Sequence, residues 1–244
     1  MQGLSATEIL EVWEAGLSQN PAERALELLS VCVPKTTRAD LERMNIGKRD
    51  ALLLTFRERV FGPHFSGVTR CPNCNASLEM AFCSSDVRAS FSSESADPFS
   101  FSFGDYEFEC RLPNSADLLA VIGARDPDLV ANALFDRCVL EKWHRGAEVS
   151  TANLPAEAID AIVDEMGRRD PQADIRFALA CPDCSHEWEA IFDIVSFAWN
   201  EISAWAGRLL RQVHTLAMAY GWREVDILSM NSLRRQVYLE MLGE

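Results

Sequence analysis

The sequence of 244 residues lacks any apolar run of the roughly 20 residues that a membrane-spanning helix needs. Its first residues, MQGLSATEILEVWE, lack the basic and apolar regions of a secretory signal peptide. We therefore expect a cytoplasmic protein with no membrane partner. Because cytoplasmic thiols stay reduced, the eight cysteines are expected to be free or to hold a metal.

Basic residues are also scarce, since 23 Lys and Arg face 37 Asp and Glu and give a formal net charge of -14. Such a charge repels phosphate backbones unless a basic patch is segregated on the surface. The two densest basic stretches, 48–59 and 208–211, alternate with apolar residues at helical spacing. This spacing is typical of a solvated helix face, so we expect no nucleic-acid partner.

Catalytic motifs are missing as well. There is no H-E-x-x-H, no G-x-S-x-G and no G-x-x-x-x-G-K phosphate loop. The zinc deaminase signature is excluded, because no H-x-E lies upstream of the cysteine turns and the proline lies inside them. The sequence predicts no catalytic residue, no small-molecule substrate and hence no enzyme. The four histidines are predicted to be structural or exposed: His64, His144, His186 and His214.

Helical patterns occur at both ends of the chain and in its middle. Asn20-Pro21 and Asp126-Pro127 each combine a capping residue with a proline at the first helical position. The strongest helical periodicity runs over 195–220, where apolar residues recur every three or four positions, and Gly221 is the predicted end.

Strand-like alternation surrounds two cysteine turns, in GVTR and SLEMAF around the first and in IRFALA and HEWEAIFDI around the second. YEFECRL, from 106 to 112, alternates in the same way. The serine-rich stretch 84–102 has no helical periodicity and is predicted to be a loop. Four phenylalanines suggest that this loop packs onto the protein: Phe91, Phe99, Phe101 and Phe103.

Two Cys-Pro-x-Cys turns predict a metal site. When the sequence is aligned with itself at an offset of 110 residues, the two turns coincide. The same offset aligns Glu79 with Glu189 and Phe82 with Phe192. Each turn offers two thiolates, and zinc prefers four soft ligands in a tetrahedron. We predict one structural Zn²⁺ with four ligands, namely Cys71, Cys74, Cys181 and Cys184.

The 106 residues between Cys74 and Cys181 exceed the spacing of a compact zinc ribbon. Closing that loop costs roughly 4 kcal/mol, whereas structural zinc in small domains contributes about 10–16 kcal/mol. The alternatives are a pair of redox dithiols, and His186 as a replacement ligand. We predict that the other cysteines are buried and act as small apolar residues, namely Cys32, Cys83, Cys110 and Cys138.

The predicted fold is α+β and mostly helical, with a small split zinc-ribbon β unit, a helical insertion and a long C-terminal helix. We predict five segments. They are an N-terminal helical region (1–62), the first half of the ribbon with the serine-rich loop (63–113), the helical insertion (114–171), the second half of the ribbon (172–194) and a C-terminal helical region (195–244).

An ordered set of phrases resembles baseplate proteins of contractile-tailed bacteriophages and related contractile injection systems. The resemblance covers about 45–242. Its phrases are IGKRDALLLTFRERVFG before CPNC, ECRLPNSADLL, DPDLVANALFDRCV, CPDCSHEWEAIFDI, and HTLAMAYGWREVDILSM with SLRRQVYLEM.

The resemblance implies a non-catalytic structural or assembly component of the baseplate or its hub. It implies other baseplate or hub proteins as partners, incorporation into an assembled particle, and the four cysteines of the two turns as metal ligands. Two alternatives stay open from the residues alone. One is a cytoplasmic zinc-ribbon adapter or regulator unrelated to phage tails, and the other is a nucleic-acid-binding ribbon.

Overall fold

The computed structural model describes residues 5–89 and 98–243. Ten α-helices lie within these ranges. They are α1 (Ala6–Gly16), α2 (Pro21–Cys32), α3 (Arg38–Arg43), α4 (Ile46–Phe61), α5 (Ser115–Ala120), α6 (Pro127–Cys138), α7 (Ala156–Arg169), α8 (Ile194–Tyr220), α9 (Glu224–Leu228) and α10 (Ser232–Glu240). Short 3-10 turns occur at Ser84–Val87, Thr151–Asn153 and Pro171–Ala173.

The same part of the chain contains eight strands in three antiparallel sheets. β1 (His64–Arg70) pairs with β2 (Ser77–Cys83), and β7 (Arg176–Ala180) pairs with β8 (Glu187–Ile191). The third sheet has the order β3 (Phe99–Phe103), β4 (Tyr106–Cys110), β5 (Val139–His144) and β6 (Ala147–Glu148). The predicted combination of many helices, small β units and a long C-terminal helix is confirmed.

Local signals in the sequence set several helix ends. The Asn20 side chain accepts a hydrogen bond from the Glu23 backbone N–H at 3.0 Å, with Pro21 as the first residue of α2. Asp126 caps α6 in the same way, through the Asp128 N–H. α8 ends at Gly221, whose φ of 67° lies in the left-handed region that glycine adopts without strain.

α8 forms the central support of the helical part. α1, α2 and α4 pack against its first half and enclose a core that includes Leu26, Leu53 and Ile202. α9 and α10 pack against its second half around Leu216 and Ile227. One long amphipathic helix thereby joins two apolar clusters.

Arg57 connects α4, α8 and the start of β1. Its buried guanidinium donates to the Glu201 carboxylate at 2.7 and 2.6 Å and to the Gly62 carbonyl at 2.6 Å. The same group lies 3.7 Å from the centre of the Phe65 ring, a cation–π geometry. The ion pair joins α4 to α8, and the cation–π contact holds the first hairpin against them.

The four-stranded sheet packs against α7 and forms a separate apolar cluster. Phe99 and Phe108 from the sheet meet Ala158 and Ile162 from α7 in this cluster. The loop prediction for 84–102 is wrong over Phe99–Phe103, which is strand β3 paired with β4. Phe91, which we expected to pack with these residues, lies outside the described residues.

The segment 114–171 is not wholly helical, because it contains β5 and β6. Its periodicity predicted α6 and α7, but β5 is a strand because it pairs with β4, with Tyr106 opposite His144. This pairing joins residues 29 to 38 positions apart, and no local pattern reports it. The five-segment division stays a prediction, and the pairing favours placing β3 and β4 in one lobe with 114–171.

Both ends of 114–171 lie at the start of α4. Asn114 forms an isolated bridge with Asn45, and the Gly47 N–H donates to Asp170 Oδ2 at 2.9 Å. Asp170 lies so close to Gly47 that a Cβ there would collide with the carboxylate. The segment 114–171, which makes up most of the sequence between the cysteine turns, thus begins and ends at one place, which lowers the cost of closing the longer loop.

Candidate metal centre

The first cysteine turn joins β1 to β2. The Cys71 N–H donates to the Ala76 carbonyl, and the Asn75 N–H donates to the Cys71 carbonyl, both at 2.9 Å. These bonds fold CPNC into a tight turn, with Cys71 buried and Cys74 exposed. The turn follows from the alternating strands on either side, which pair in register from His64 with Cys83 to Arg70 with Ser77.

The second turn repeats this geometry between β7 and β8. The Cys181 N–H donates to the His186 carbonyl, and the Ser185 N–H donates to the Cys181 carbonyl, again at 2.9 Å. Cys181 is buried and Cys184 is half-buried. The internal repeat of the sequence is therefore a structural repeat of two cysteine hairpins, β1–β2 and β7–β8.

The residue after each second cysteine has a left-handed backbone. Asn75 has φ of 61° and Ser185 has φ of 57°. Asn tolerates this region better than most residues, whereas Ser adopts it less readily. Sequence reasoning missed this feature because neither position is glycine.

The two turns meet at their sulfur atoms. The Sγ atoms of Cys71 and Cys184 lie 3.7 Å apart, and those of Cys74 and Cys181 lie 3.5 Å apart. All four sulfurs lie within 4.8 Å of one another. A tetrahedron with metal–sulfur bonds of about 2.3 Å has sulfurs about 3.8 Å apart, while a disulfide needs about 2.05 Å. The cluster could therefore hold a metal ion.

Hydrogen bonds make one of the four thiols acidic. The Asn73 side chain donates to Cys184 Sγ at 3.5 Å. This bond, together with the His186 backbone N–H, lowers the pKa of Cys184 to about 6. The Ala76 backbone N–H favours the thiolate of Cys74, but hydrogen bonds among the clustered sulfurs outweigh it and raise the pKa of Cys74 to about 12.

An aromatic cluster joins the two hairpins at their ends opposite the cysteine turns. The Phe82 ring stacks on Phe65 at 4.9 Å and lies 4.8 Å from Phe177 across the two hairpins. Phe82 and Phe192, equivalent positions of the repeat, meet edge to face at 5.4 Å. Phe197, in the first turn of α8, lies 5.1 Å from Phe65. The hairpins therefore share a small apolar base that is anchored to α8.

Residues 7–199 match the family model described as T4 bacteriophage base plate protein. The chain belongs to this baseplate family. Both cysteine turns lie inside the matched range, while α9 and α10 lie beyond it. The resemblance read from the sequence is confirmed, and the match begins well before residue 45, where the recognisable phrases start. No curated protein and no solved structure matches significantly.

The remaining cysteines of this baseplate protein lie outside the sulfur cluster. Cys32, Cys110 and Cys138 are buried, as predicted, and burial raises the pKa of Cys32 and of Cys110 to about 12. The prediction of burial is wrong for Cys83, which is only half-buried at the end of β2. Its sulfur lies 3.4 Å from Nδ1 of His64, its register partner on β1.

His186 does not join the cluster, which consists of four cysteines among the residues that the structure describes. Its backbone carbonyl closes the second turn, and its ring stacks near Trp188 with centroids 6.1 Å apart.

The family places the protein among phage baseplate structural components. Within the described ranges, no helix is both long and apolar enough to cross a bilayer.

Proposed function

We propose that this baseplate protein is a non-catalytic structural or assembly component of a contractile injection machine, and that Cys71, Cys74, Cys181 and Cys184 hold one structural Zn²⁺. The observation that carries the proposal is the meeting of four sulfurs from two turns 106 residues apart in the sequence. The two hairpins with their metal would form a split zinc ribbon.

The ligand chemistry favours zinc in a closed site. Four thiolates in a tetrahedron suit Zn²⁺ or iron, and they leave no coordination position for water or substrate. Such a metal stabilises the fold and performs no reaction. A structural role agrees with the family and with the absence of catalytic motifs from the sequence.

Metal content tests the site directly. Native mass spectrometry of protein purified under reducing conditions should give the mass of one zinc per chain, and a strong chelator should remove it. Elemental analysis distinguishes zinc from iron. A metal-free folded protein, or one zinc retained by the Cys181→Ser variant, would contradict the assignment.

The exposed side of α10 supports binding to another protein. Tyr238 and Leu239 pack against α8, while Leu233, Val237 and Met241 form a row at helical spacing with 73%, 40% and 57% exposure. We infer that this row contacts another baseplate or hub protein.

Assembly tests this function. Deletion of the gene should leave sheath and tube proteins expressed, but particles should be missing or lack complete baseplates. Complementation with Leu233→Ser and Val237→Ser together should restore fewer particles than complementation with Val163→Ser, which alters an exposed apolar residue on α7. Normal particles in the deletion strain would contradict the assembly role.

A further inference from the structure

A cavity of about 510 Å³ lies where five segments of the helical part converge. It is bounded by α1, the end of α2, α4, α8 and the turn between α9 and α10. Apolar side chains such as Ile9, Phe56 and Trp205 line part of it. Two arginines, Arg59 and Arg235, line it as well, and no Asp or Glu does so among the described lining residues.

Arg235 is the unusual member of this lining. It is only 5% exposed, and its Nη1 donates to the Met230 carbonyl. Its Nε is buried without a hydrogen-bond partner in the part of the chain that the structure describes. Burial lowers the pKa of Arg235, and no carboxylate contributes to the shift. A buried guanidinium without an anion is unfavourable unless an anion arrives.

Arg59 adds a second positive charge at the same cavity. It projects from the last turn of α4 and forms no ion pair with a described residue. Burial raises the pKa of the neighbouring Cys32 thiol, and the positive charge of Arg59 opposes that rise. The charge therefore acts on a cavity-lining group. The protein has a net charge of -14. A cavity lined by two arginines and by no described Asp or Glu is therefore a positively charged site on an acidic protein.

We propose that this cavity binds an Asp or Glu side chain presented on an apolar segment of a partner baseplate protein, with the carboxylate paired to Arg235 and Arg59. A guanidinium matches a carboxylate through two parallel hydrogen bonds. The apolar walls suit the residues on either side of the acid. A polyphosphate fits less well, because it has no apolar part and the overall negative charge opposes it. The identity of the partner rests on the proposed function, whereas the carboxylate site does not.

Two peptides measure the preference for a carboxylate. Isothermal titration of the full metal-loaded chain should show acetyl-Leu-Glu-Leu-amide binding at least about tenfold more tightly than acetyl-Leu-Gln-Leu-amide, because a buried charged hydrogen bond is lost with the amide. The Arg235→Met variant should lose this preference. Arg234→Met, its neighbour on α10, should keep it, because Arg234 is exposed and lies over Tyr238 instead. The proposal is overturned if the wild-type protein binds the two peptides equally tightly, or if it binds neither of them.

Thermal unfolding separates a binding role from a structural one. Arg235→Met removes a buried unpaired charge, so its Tm should equal or exceed that of the wild type. A lower Tm with an unchanged peptide preference would make Arg235 a structural residue and overturn the proposal. Arg59→Met provides a second variant at an exposed position, and it should weaken binding of the glutamate peptide while leaving Tm unchanged.

Small anions test the ligand class. Propionate, an analogue of the Glu side chain, should displace the glutamate peptide at lower concentration than inorganic phosphate does. The opposite order would assign the cavity to phosphate and overturn the carboxylate proposal. In complemented deletion strains, Arg235→Met should reduce incorporation of the protein into particles. Normal incorporation would overturn the partner contact and leave the proposed assembly role intact.

Discussion

The two cysteine hairpins and the four-stranded sheet are both small antiparallel β units, but they bury their side chains to different extents. In β8 every residue is exposed or half-buried, whereas β4 contributes the fully enclosed Phe108 and Cys110. α7 covers one face of the four-stranded sheet, while each hairpin has only two strands. An isolated two-stranded hairpin is marginally stable in water. The comparison indicates that the four-stranded sheet is held by its covered face, whereas the hairpins rely on the aromatic base around Phe65 and on the metal proposed for the sulfur cluster.

The largest expected effect separates these two modes of stabilisation. Cys181→Ser should lose the metal and unfold the hairpins, because zinc contributes about 10–16 kcal/mol in comparable small sites. Cys138→Ser places a hydroxyl in the sheet lobe, where Cys138 is buried, and should cost roughly 1–3 kcal/mol with the metal retained. Metal content and urea unfolding measure both effects. Equal losses of stability from Cys181→Ser and Cys138→Ser would mean that the hairpins and the four-stranded sheet are not stabilised differently.

Ile162→Ala should weaken the sheet lobe without affecting the metal. Ile162 is fully buried between α7 and the sheet, and such a truncation costs about 2–5 kcal/mol. Val163→Ala, its exposed neighbour, should change the free energy of unfolding by less than about 0.5 kcal/mol. Zinc stoichiometry should stay at one in both variants. Loss of zinc from Ile162→Ala would mean that the lobe and the hairpins fold as one unit.

The next effect concerns a buried ion pair at the edge of the lobe. Asp117 is fully buried, and its carboxylate accepts from Arg111 at 2.6 and 2.7 Å and from Arg137 at 2.7 Å. Asp117→Asn should cost roughly 2–3 kcal/mol, because hydrogen bonds to a charged group are lost. Asp105→Asn, which breaks the exposed pair with Arg145, should cost much less, because solvent screens that pair.

The same carboxylate predicts a pH dependence. Burial alone would raise the pKa of Asp117, but hydrogen bonds from the two arginines hold it below its usual range. Its stabilisation is therefore present above the unfolded pKa of about 3.9 and is lost as pH falls below that value. The difference in unfolding free energy between wild type and Asp117→Asn should stay constant near neutral pH and shrink in acid. Loss of metal in acid affects both proteins and cancels in the difference. A constant difference down to low pH would contradict the prediction.

The smallest effect compares the two turns with each other. Ser185→Gly should stabilise the second hairpin by about 0.5–1 kcal/mol, because glycine adopts φ near 57° without the strain that serine carries. Asn75→Gly should gain less, since asparagine tolerates the same conformation. Thermal unfolding of the metal-loaded proteins measures both changes. A larger gain in stability from Asn75→Gly than from Ser185→Gly would contradict the prediction that serine carries the greater backbone strain.

Local sequence signals predicted the elements whose causes are local. Asn20-Pro21, Asp126-Pro127 and Gly221 mark helix ends because capping and proline effects act within a few residues. The repeated Cys-Pro-x-Cys turns predicted that distant residues would come together, because their ligand chemistry is the same. β3 and β5 were missed. β3 reads FSFSF, which does alternate with period two, but it lies at the end of a serine-rich stretch predicted to be one loop. β5 becomes a strand only by pairing with β4.

The sequence by itself determined several helix ends, the two cysteine hairpins and the family, since these depend on short-range geometry and on ordered motifs. Only the tertiary structure decided that the four sulfurs lie within 4.8 Å and that Asp117 pairs with two arginines. It also decided that Arg235 is buried beside a cavity walled by five separate segments. Burial and ion pairing between distant segments depend on how complete elements pack, and no local pattern carries that information.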